Sequence, residues 1–85
     1  MTYQLVYTRR AARDLDKLDQ EALQRIKRGL ERYREHPYQF AAKLTNAELG
    51  TYRFRMGDYR VIFDVDDDKI VVLRVGHRRD IYRSR

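Results

Sequence analysis

The chain has 85 residues, of which 42% are hydrophobic and 38% are charged, and this composition is typical of one small folded domain spanning residues 1–85. Its formal net charge of +6 favours a polyanionic partner such as nucleic acid, or an acidic protein. It has no cysteine for disulfides or zinc, and its longest apolar run, four residues, is too short for a membrane span, so we expect a soluble cytoplasmic protein.

The N-terminal half of the sequence predicts a strand followed by a pair of helices. Residues 3–7 alternate well enough for a short strand, and Thr8 and Asp19 are each placed to cap the start of a helix. The second helix ends just before Pro37, because the residue preceding a proline is disfavoured in the helical conformation. Two apolar stripes at helical spacing face the predicted core: Ala11, Ala12, Leu15 and Leu18 in the first helix, and Leu23, Ile26, Leu30 and Tyr33 in the second.

The C-terminal half predicts a connecting loop and three strands. Residues 38–51 show no sustained period, so we expect a loop there. Three strands follow, separated by turns at Gly57-Asp58 and at Asp66–Asp68. The resulting order, β-α-α-β-β-β, predicts an α+β fold in which a small, largely antiparallel sheet packs one face on the N-terminal helical hairpin. The other face of the sheet is then free to be functional.

The first predicted hairpin concentrates positive charge on that free face. A two-residue turn at Gly57-Asp58 pairs Arg55 with Arg60, and strand alternation places Arg53 on the same side. Like charges directly opposite one another destabilise a sheet. The cluster therefore indicates that an anionic ligand completes it.

The second hairpin extends the cluster if its turn has three residues, Asp66–Asp68. This register pairs Val61 with Leu73 and sets Arg74 opposite Arg60. A two-residue turn would pair Val61 with Arg74 and bring charge into the core face, so we disfavour it. The three adjacent aspartates lack the spacing of a calcium-binding loop, and no cluster of histidines or convergent carboxylates predicts another metal site.

Arginine supplies most of the positive charge, 15 of the 19 basic residues. Its planar guanidinium binds phosphate bidentately and stacks on bases, whereas lysine acts as a point charge. The bias therefore favours contact with phosphate. The helical arginines, which either form a second phosphate-binding surface or are simply solvated, are Arg9, Arg10, Arg13, Arg25, Arg28, Arg32 and Arg34.

Taken in order, these segments resemble the RelE family of bacterial toxin–antitoxin endoribonucleases, within the superfamily that also holds the ParE toxins. The resemblance spans nearly the whole chain and implies a microbial ribonuclease-like fold. It rests on the N-terminal strand and helical hairpin and on five short motifs: AKL at 42–44, YRFR at 52–55, GDYRVIF at 57–63, VGHR at 75–78 and IYR at 81–83.

The resemblance also implies an activity and its partners. Such enzymes cleave messenger RNA at the ribosomal decoding site, by attack of a ribose 2′-hydroxyl on the adjacent phosphate, without a metal or cofactor. The implied partners are messenger RNA, the ribosome and a cognate antitoxin, with no membrane and with no contact to DNA except through the antitoxin complex. The alternative within the superfamily is a ParE-like inhibitor of DNA gyrase that lacks nuclease activity. A third possibility is that the arginine-bearing face of the sheet mainly binds the antitoxin. Catalysis would then have been lost because arginines replaced lysines.

Site roles follow residue by residue from the same resemblance. Arg53 and Arg55 match a basic pair that is often lysine in other members, and arginine is better suited to orienting RNA than to accepting a proton. Arg60 matches an arginine that stabilises charge on the scissile phosphate. Arg78 matches one that either holds the phosphate from the opposite side or steadies the leaving oxygen. Tyr82 matches a C-terminal tyrosine that stacks under a base.

His77 is the one histidine that the sequence places near this cluster. Histidine transfers protons near neutral pH, so His77 is a possible general acid or base. Strand alternation points it away from Arg78, and this favours a structural role as a partly buried histidine at a strand end.

Overall fold

A computed structural model describes residues 2–45 and 49–81 of the chain. Within these ranges the chain forms four helices and five strands in the order β-α-α-α-β-β-β-β-α. In chain order they are β1 Gln4–Tyr7, α1 Arg9–Asp16, α2 Gln20–Tyr33, α3 Pro37–Phe40, β2 Ala41–Lys43, β3 Tyr52–Met56, β4 Tyr59–Asp66, β5 Lys69–His77 and α4 Arg78–Ile81.

The five strands form one sheet in the order β1-β5-β4-β3-β2. Only β1 and β5 pair in parallel; the other neighbours are antiparallel. The predicted α+β class, with a helical hairpin preceding a largely antiparallel sheet, is confirmed. The prediction of a loop over residues 38–51 is wrong in part, because α3 and the edge strand β2 lie there. A strand of three residues is too short to show a period in the sequence.

The predicted helix starts are confirmed by their capping bonds. Thr8 Oγ1 accepts a hydrogen bond from Ala11 N at 3.1 Å, and Asp19 Oδ1 accepts one from Ala22 N at 2.8 Å. Each bond satisfies a backbone donor that has no partner inside its helix. The second helix ends earlier than predicted, at Tyr33. Pro37 instead opens α3 at the first helical position, where the missing N–H costs nothing.

The core lies between α2 and the helix-facing side of the sheet. Ile26 and Leu30 of α2 are buried together with Phe54 and Phe63, whose rings stack with centroids 4.2 Å apart. Burying a large apolar side chain contributes about 1.5–3 kcal/mol, so these side chains dominate the stability of the domain. Gly29 allows the helix to approach the sheet closely, since a Cβ there would lie 2.7 Å from Met56 Sδ.

The first hairpin has the predicted register. Met56 lies opposite Tyr59 and Arg55 lies opposite Arg60. Gly57 adopts a left-handed conformation, with a φ of 63°, which glycine tolerates without steric penalty. The prediction that two arginines meet directly across this hairpin is therefore confirmed.

The second hairpin differs from the prediction. Asp66 pairs with Lys69, so the turn contains only Asp67 and Asp68 rather than three residues. A two-residue turn brings Arg74 to the core face only if the register stays constant along the strands. A β-bulge breaks it between Ile62 and Phe63, so Phe63 pairs with Val72 while Val61 pairs with Val75. Apolar residues therefore remain opposite one another on the core face.

The bulge also moves Arg74 away from its predicted place. Arg74 pairs with Ile62, and the residue opposite Arg60 is Gly76. The prediction that Arg74 lies opposite Arg60 is therefore wrong, although its pairing with Ile62 keeps it on the same face of the sheet. A bulge inserts one extra residue into one strand, so it cannot be predicted from a pattern in which side chains alternate strictly between the two faces.

Arg74 instead binds a carboxylate at the end of α1. Strand β1 pairs only with residues 69–72 of β5, so the remainder of β5 has no strand neighbour on that side. Asp14 Oδ2 accepts hydrogen bonds from Arg74 Nε and from Val75 N, each at 2.9 Å. The sequence analysis did not identify this buried aspartate, and it placed the exposed Ala12 in the core stripe instead.

We predict that Asp14→Ala lowers the free energy of unfolding by about 3 kcal/mol. The substitution removes the acceptor of two groups, the mostly buried guanidinium of Arg74 and the backbone N–H of Val75. Urea denaturation of the full chain measures this. Asp16→Ala is the matched control, since it removes an exposed carboxylate from the same helix and should cost less than about 0.5 kcal/mol. Equal losses in the two variants would contradict the assigned role.

Candidate functional site

Three of the predicted site residues lie on the sheet face that is turned away from the helices. Arg53, Arg55 and Arg60 alternate with residues of the core on β3 and β4. Arg55 and Arg60 are cross-strand partners, and Arg53 lies opposite Ile62. The structure thus brings together the hairpin arginines that the sequence analysis placed on one face.

Arg60 is the least accessible of the three, with 6% of its surface exposed. One of its terminal nitrogens, Nη1, donates to the carbonyl of Gly57 at 2.7 Å and to that of Tyr59 at 3.0 Å. Its Nε is buried and has no hydrogen-bond partner among the described residues. A buried donor without an acceptor is costly. The two bonds from Nη1 hold this guanidinium against the turn.

Arg55 differs from Arg60 in being accessible to solvent. Its side chain is exposed, and no carboxylate within residues 2–45 and 49–81 forms a salt bridge with it. Arg53 is half-buried and also lies opposite Ala42 of the edge strand. The face therefore combines one fixed guanidinium, Arg60, with one that is open to a ligand, Arg55.

Arg78 reaches the same hairpin turn from α4. Its backbone N donates to the carbonyl of Asp58 at 2.7 Å, and its Nε lies 3.6 Å from Asp58 Oδ1. Both side chains are exposed, so this ion pair contributes little to stability. The turn at Gly57-Asp58 thus connects Arg60 and Arg78. Tyr82, the remaining predicted residue of the set, lies outside the described residues.

His77 points away from the arginine face, as its place in the strand predicted. It ends β5 opposite Tyr59, and the two rings meet edge to face with centroids 5.7 Å apart. Its Nδ1 accepts a hydrogen bond from Arg79 N at 3.2 Å. The expectation of a partly buried histidine at a strand end is confirmed.

The arginine face is not wholly free, contrary to the sequence expectation. Ile62 is fully buried there, because Gly50 packs so closely that a Cβ would lie 2.7 Å from Ile62 Cγ2. At the other end, Ile81 of α4 packs beside Gly76 and is 1% exposed. The accessible part of the face is therefore smaller than the strands alone suggest, and it is concentrated near the hairpin turn.

Residues 2–45 and 49–81 contain no group of three or more histidine, aspartate or glutamate side chains that could hold a metal ion. In the same ranges, no helix is long and apolar enough to cross a membrane.

Comparison with known proteins identifies the class. Residues 5–82 match the family described as the ParE toxin of the type II toxin–antitoxin system parDE. The chain therefore belongs to this family and is a toxin of a type II toxin–antitoxin system, within the RelE/ParE superfamily. The superfamily resemblance inferred from the short motifs is confirmed.

Three similar proteins have names of the Rel type. The chain is 35% identical to Toxin RelG of Mycobacterium tuberculosis, over 98% of this chain and 99% of that protein. It is similar to the crystal structure of the M. tuberculosis toxin–antitoxin complex RelBE2, with a TM-score of 0.83, 31% identity, and coverage of 92% of this chain and 100% of the other. The archaeal RelE–RelB complex of Pyrococcus horikoshii OT3 matches with a TM-score of 0.73, 28% identity, and coverage of 94% and 99%.

We predict that Gly57→Ala lowers the free energy of unfolding by about 1–2 kcal/mol, because alanine is strained at a φ of 63°. The added methyl group would also lie 3.2 Å from Arg25 Nη1. Gly76→Ala is the matched control: its Cβ would meet Ile81 at an ordinary 3.7 Å, so stability should change by less than about 0.5 kcal/mol. Urea denaturation distinguishes them, and equal effects would contradict the role of the turn geometry.

Proposed function

We propose that this toxin is a metal-independent endoribonuclease that cleaves messenger RNA in the decoding site of the ribosome. The observation that carries the proposal is the convergence of Arg60 and Arg78 on one hairpin turn, beside the exposed Arg55. Guanidinium groups bind phosphate oxygens with charge-assisted hydrogen bonds, and an RNA phosphate group placed here would offset their mutual repulsion. The RelE-type relatives support the same activity.

The proposed reaction needs charge stabilisation more than it needs a metal. The ribose 2′-oxygen forms a bond to the adjacent phosphorus, and the bond from phosphorus to the 5′-oxygen breaks. The products are a 2′,3′-cyclic phosphate and a 5′-hydroxyl, so one proton leaves the 2′-hydroxyl and one reaches the 5′-oxygen. Negative charge accumulates on the phosphoryl oxygens between these events, and fixed positive groups lower the barrier by stabilising it.

The arginines divide these tasks according to their surroundings. We assign stabilisation of the phosphoryl charge to Arg60, whose guanidinium is fixed before substrate binds. Arg78 contacts the phosphate from the α4 side, while Arg53 and Arg55 orient the RNA strand. Tyr82 stacks on a base, an interaction worth about 1–3 kcal/mol. Arginine stays protonated, so none of these four arginines acts as the general base.

Regulation by a cognate antitoxin is part of the proposal. Two of the solved structures that resemble this chain, from M. tuberculosis and P. horikoshii, are complexes of a RelE-type toxin with its RelB-type partner. An acidic or amphipathic segment of such a partner would neutralise the arginine face or cover it, by strand addition at a sheet edge or by a helix in a groove. Its binding should weaken with salt to the extent that the contact is electrostatic.

Inhibition of DNA gyrase is the second candidate function. The observation that favours it is the match of residues 5–82 to the ParE toxin family. Such an activity would require no RNA cleavage and would not depend on the arginines as phosphate ligands.

We predict that the double variant Arg55→Ala, Arg78→Ala cleaves messenger RNA at least about 100-fold more slowly in a translating lysate, because two groups that stabilise or orient the reacting phosphate are removed. Mapping of RNA 5′ ends measures the cleavage. Both side chains are exposed, so folding should be preserved. The charge-matched control is Arg10→Ala, Arg79→Ala, which removes two exposed arginines elsewhere and should stay within about threefold of wild type.

Two results would contradict the nuclease proposal. One is unimpaired cleavage by the Arg55→Ala, Arg78→Ala protein. The other is the absence of ribosome-dependent cleavage by the wild type together with inhibition of gyrase in a supercoiling assay, which would establish the second candidate.

We predict that His77→Gln retains cleavage within about threefold and keeps the pH–rate profile of the wild type. His77 contacts Tyr59 and Arg79 and points away from the arginine face, so no proton transfer is assigned to it. Single-turnover cleavage measured from pH 5.5 to 8.5 tests this. A loss of about 100-fold or more, with one limb of the profile removed, would instead make His77 a general acid or base.

A further inference from the structure

A second basic feature lies on the helix side of the molecule, between α2 and the first hairpin. It is an open groove of about 370 Å³ at the edge of the Gly57-Asp58 turn. Three arginines line it, and the proposed reaction does not use them. The groove is lined by Arg25, Arg28, Gly29, Arg32, Tyr33, Met56 and Gly57.

The three arginines of this groove form a row along α2. Arg25, Arg28 and Arg32 stand at i, i+3 and i+7, so they share one face of the helix and are spaced along its axis by roughly 4.5 and 6 Å. All three are exposed, and no carboxylate of the described residues forms a salt bridge with them. Like charges at this spacing destabilise a helix. An anionic ligand extending along the helix would relieve that repulsion.

The row connects with the proposed cleavage site through the hairpin turn. Arg25 Nη1 lies 3.2 Å from the position that a Cβ would occupy at Gly57. The carbonyl of Gly57 accepts the 2.7 Å hydrogen bond from Arg60 on the other side of the sheet. One backbone turn therefore separates the two basic surfaces, and Arg25 is the arginine of the α2 row that lies against this turn.

An aromatic surface adjoins the other end of the row. Tyr33 lines the groove and stacks on Phe40, with ring centroids 4.4 Å apart and planes inclined by 17°. Phe40 itself is 43% exposed, which is unusual for so large an apolar side chain. Unpaired bases stack on exposed aromatic rings of this kind, and a positively charged groove beside them is the usual combination for binding single strands.

We propose that this groove binds the phosphate backbone of single-stranded RNA next to the segment held at the hairpin turn, with an unpaired base stacked on Phe40. The inference rests on the proposed function, since it extends the RNA path from the cleavage face around the turn. An acidic helix is a poorer occupant because an amphipathic helix needs an apolar trough. Here Met56 is only 6% exposed and Gly29 has no side chain.

The test measures binding of the full-length protein to a fluorescein-labelled uridine dodecamer by fluorescence anisotropy, in 50 to 200 mM KCl. We compare Arg25→Gln, Arg28→Gln, Arg32→Gln with the control Arg9→Gln, Arg10→Gln, Arg13→Gln. Each variant removes three exposed helical arginines and the same charge. Urea denaturation first establishes that both variants fold as stably as the wild type.

The α2 variant should bind at least tenfold more weakly, and the slope of log K against log [KCl] should become shallower by about 2, because each lost phosphate contact contributes about 0.7 for a single strand. The α1 control should keep the wild-type slope. Phe40→Ala should weaken binding about tenfold without changing the slope, since stacking involves no counterion release.

Three results would overturn the inference. Equal losses in the two arginine variants would show a diffuse effect of net charge. Equal affinity for a 12-base-pair RNA duplex, with no effect of Phe40→Ala, would show that single strands are not the ligand. Competition by polyglutamate as effective as by polyuridylate of equal charge would assign the groove to an acidic protein. Binding needs neither ribosome nor cleavage, so these results are separate from those that test the nuclease.

Discussion

The carboxylate of Asp14 accepts a hydrogen bond from the edge of β5 where that strand no longer has a neighbouring strand. Strand β1 stops at Tyr7, and the parallel pairing that it provides stops with it. From there the edge of β5 needs another acceptor, which Asp14 supplies to Val75 N while it also neutralises Arg74. The bulge that precedes this contact places Gly76 opposite Arg60. Asp14 thus holds the end of β5 that leads into α4, and the bulge sets which residue of that end faces Arg60.

The hairpin turn at Gly57-Asp58 accepts hydrogen bonds that hold Arg60 and Arg78 in place. Two arginines directly opposite one another should repel, yet the turn carbonyls of Gly57 and Asp58 accept from Arg60 Nη1 and from the backbone of Arg78. These contacts orient Arg60 without neutralising it, because a carbonyl carries no net charge. The face thus keeps its positive potential while the guanidinium loses its freedom, and such preorganisation is what stabilisation of a transient anion requires.

Sequence reasoning succeeded where the signal is local. The caps at Thr8 and Asp19 and the Gly57-Asp58 turn are each encoded within a few residues, and the Arg55–Arg60 pairing follows from the turn alone. It failed where the structure depends on residues far apart in the sequence. The bulge before Phe63 is one case, and the burial of Asp14, which binds Arg74 60 positions away, is the other. The roles of the site residues are a further step, since they depend on a ligand that the chain does not contain.

The distribution of arginine bears on how an antitoxin would act. The arginine face and the α2 row meet at one turn, where Arg60 is bonded to Gly57 and Arg25 lies against it. A partner that reshaped this turn would move both basic surfaces together. Such a partner would not need to cover every arginine directly. The turn is less firmly fixed than the core beneath it, because it depends on Gly57 at a positive φ and on the exposed Arg78 and Asp58 side chains, 3.6 Å apart. Under the proposed RNA-binding role, inhibition by an antitoxin and release of RNA would thus share one small element of the fold.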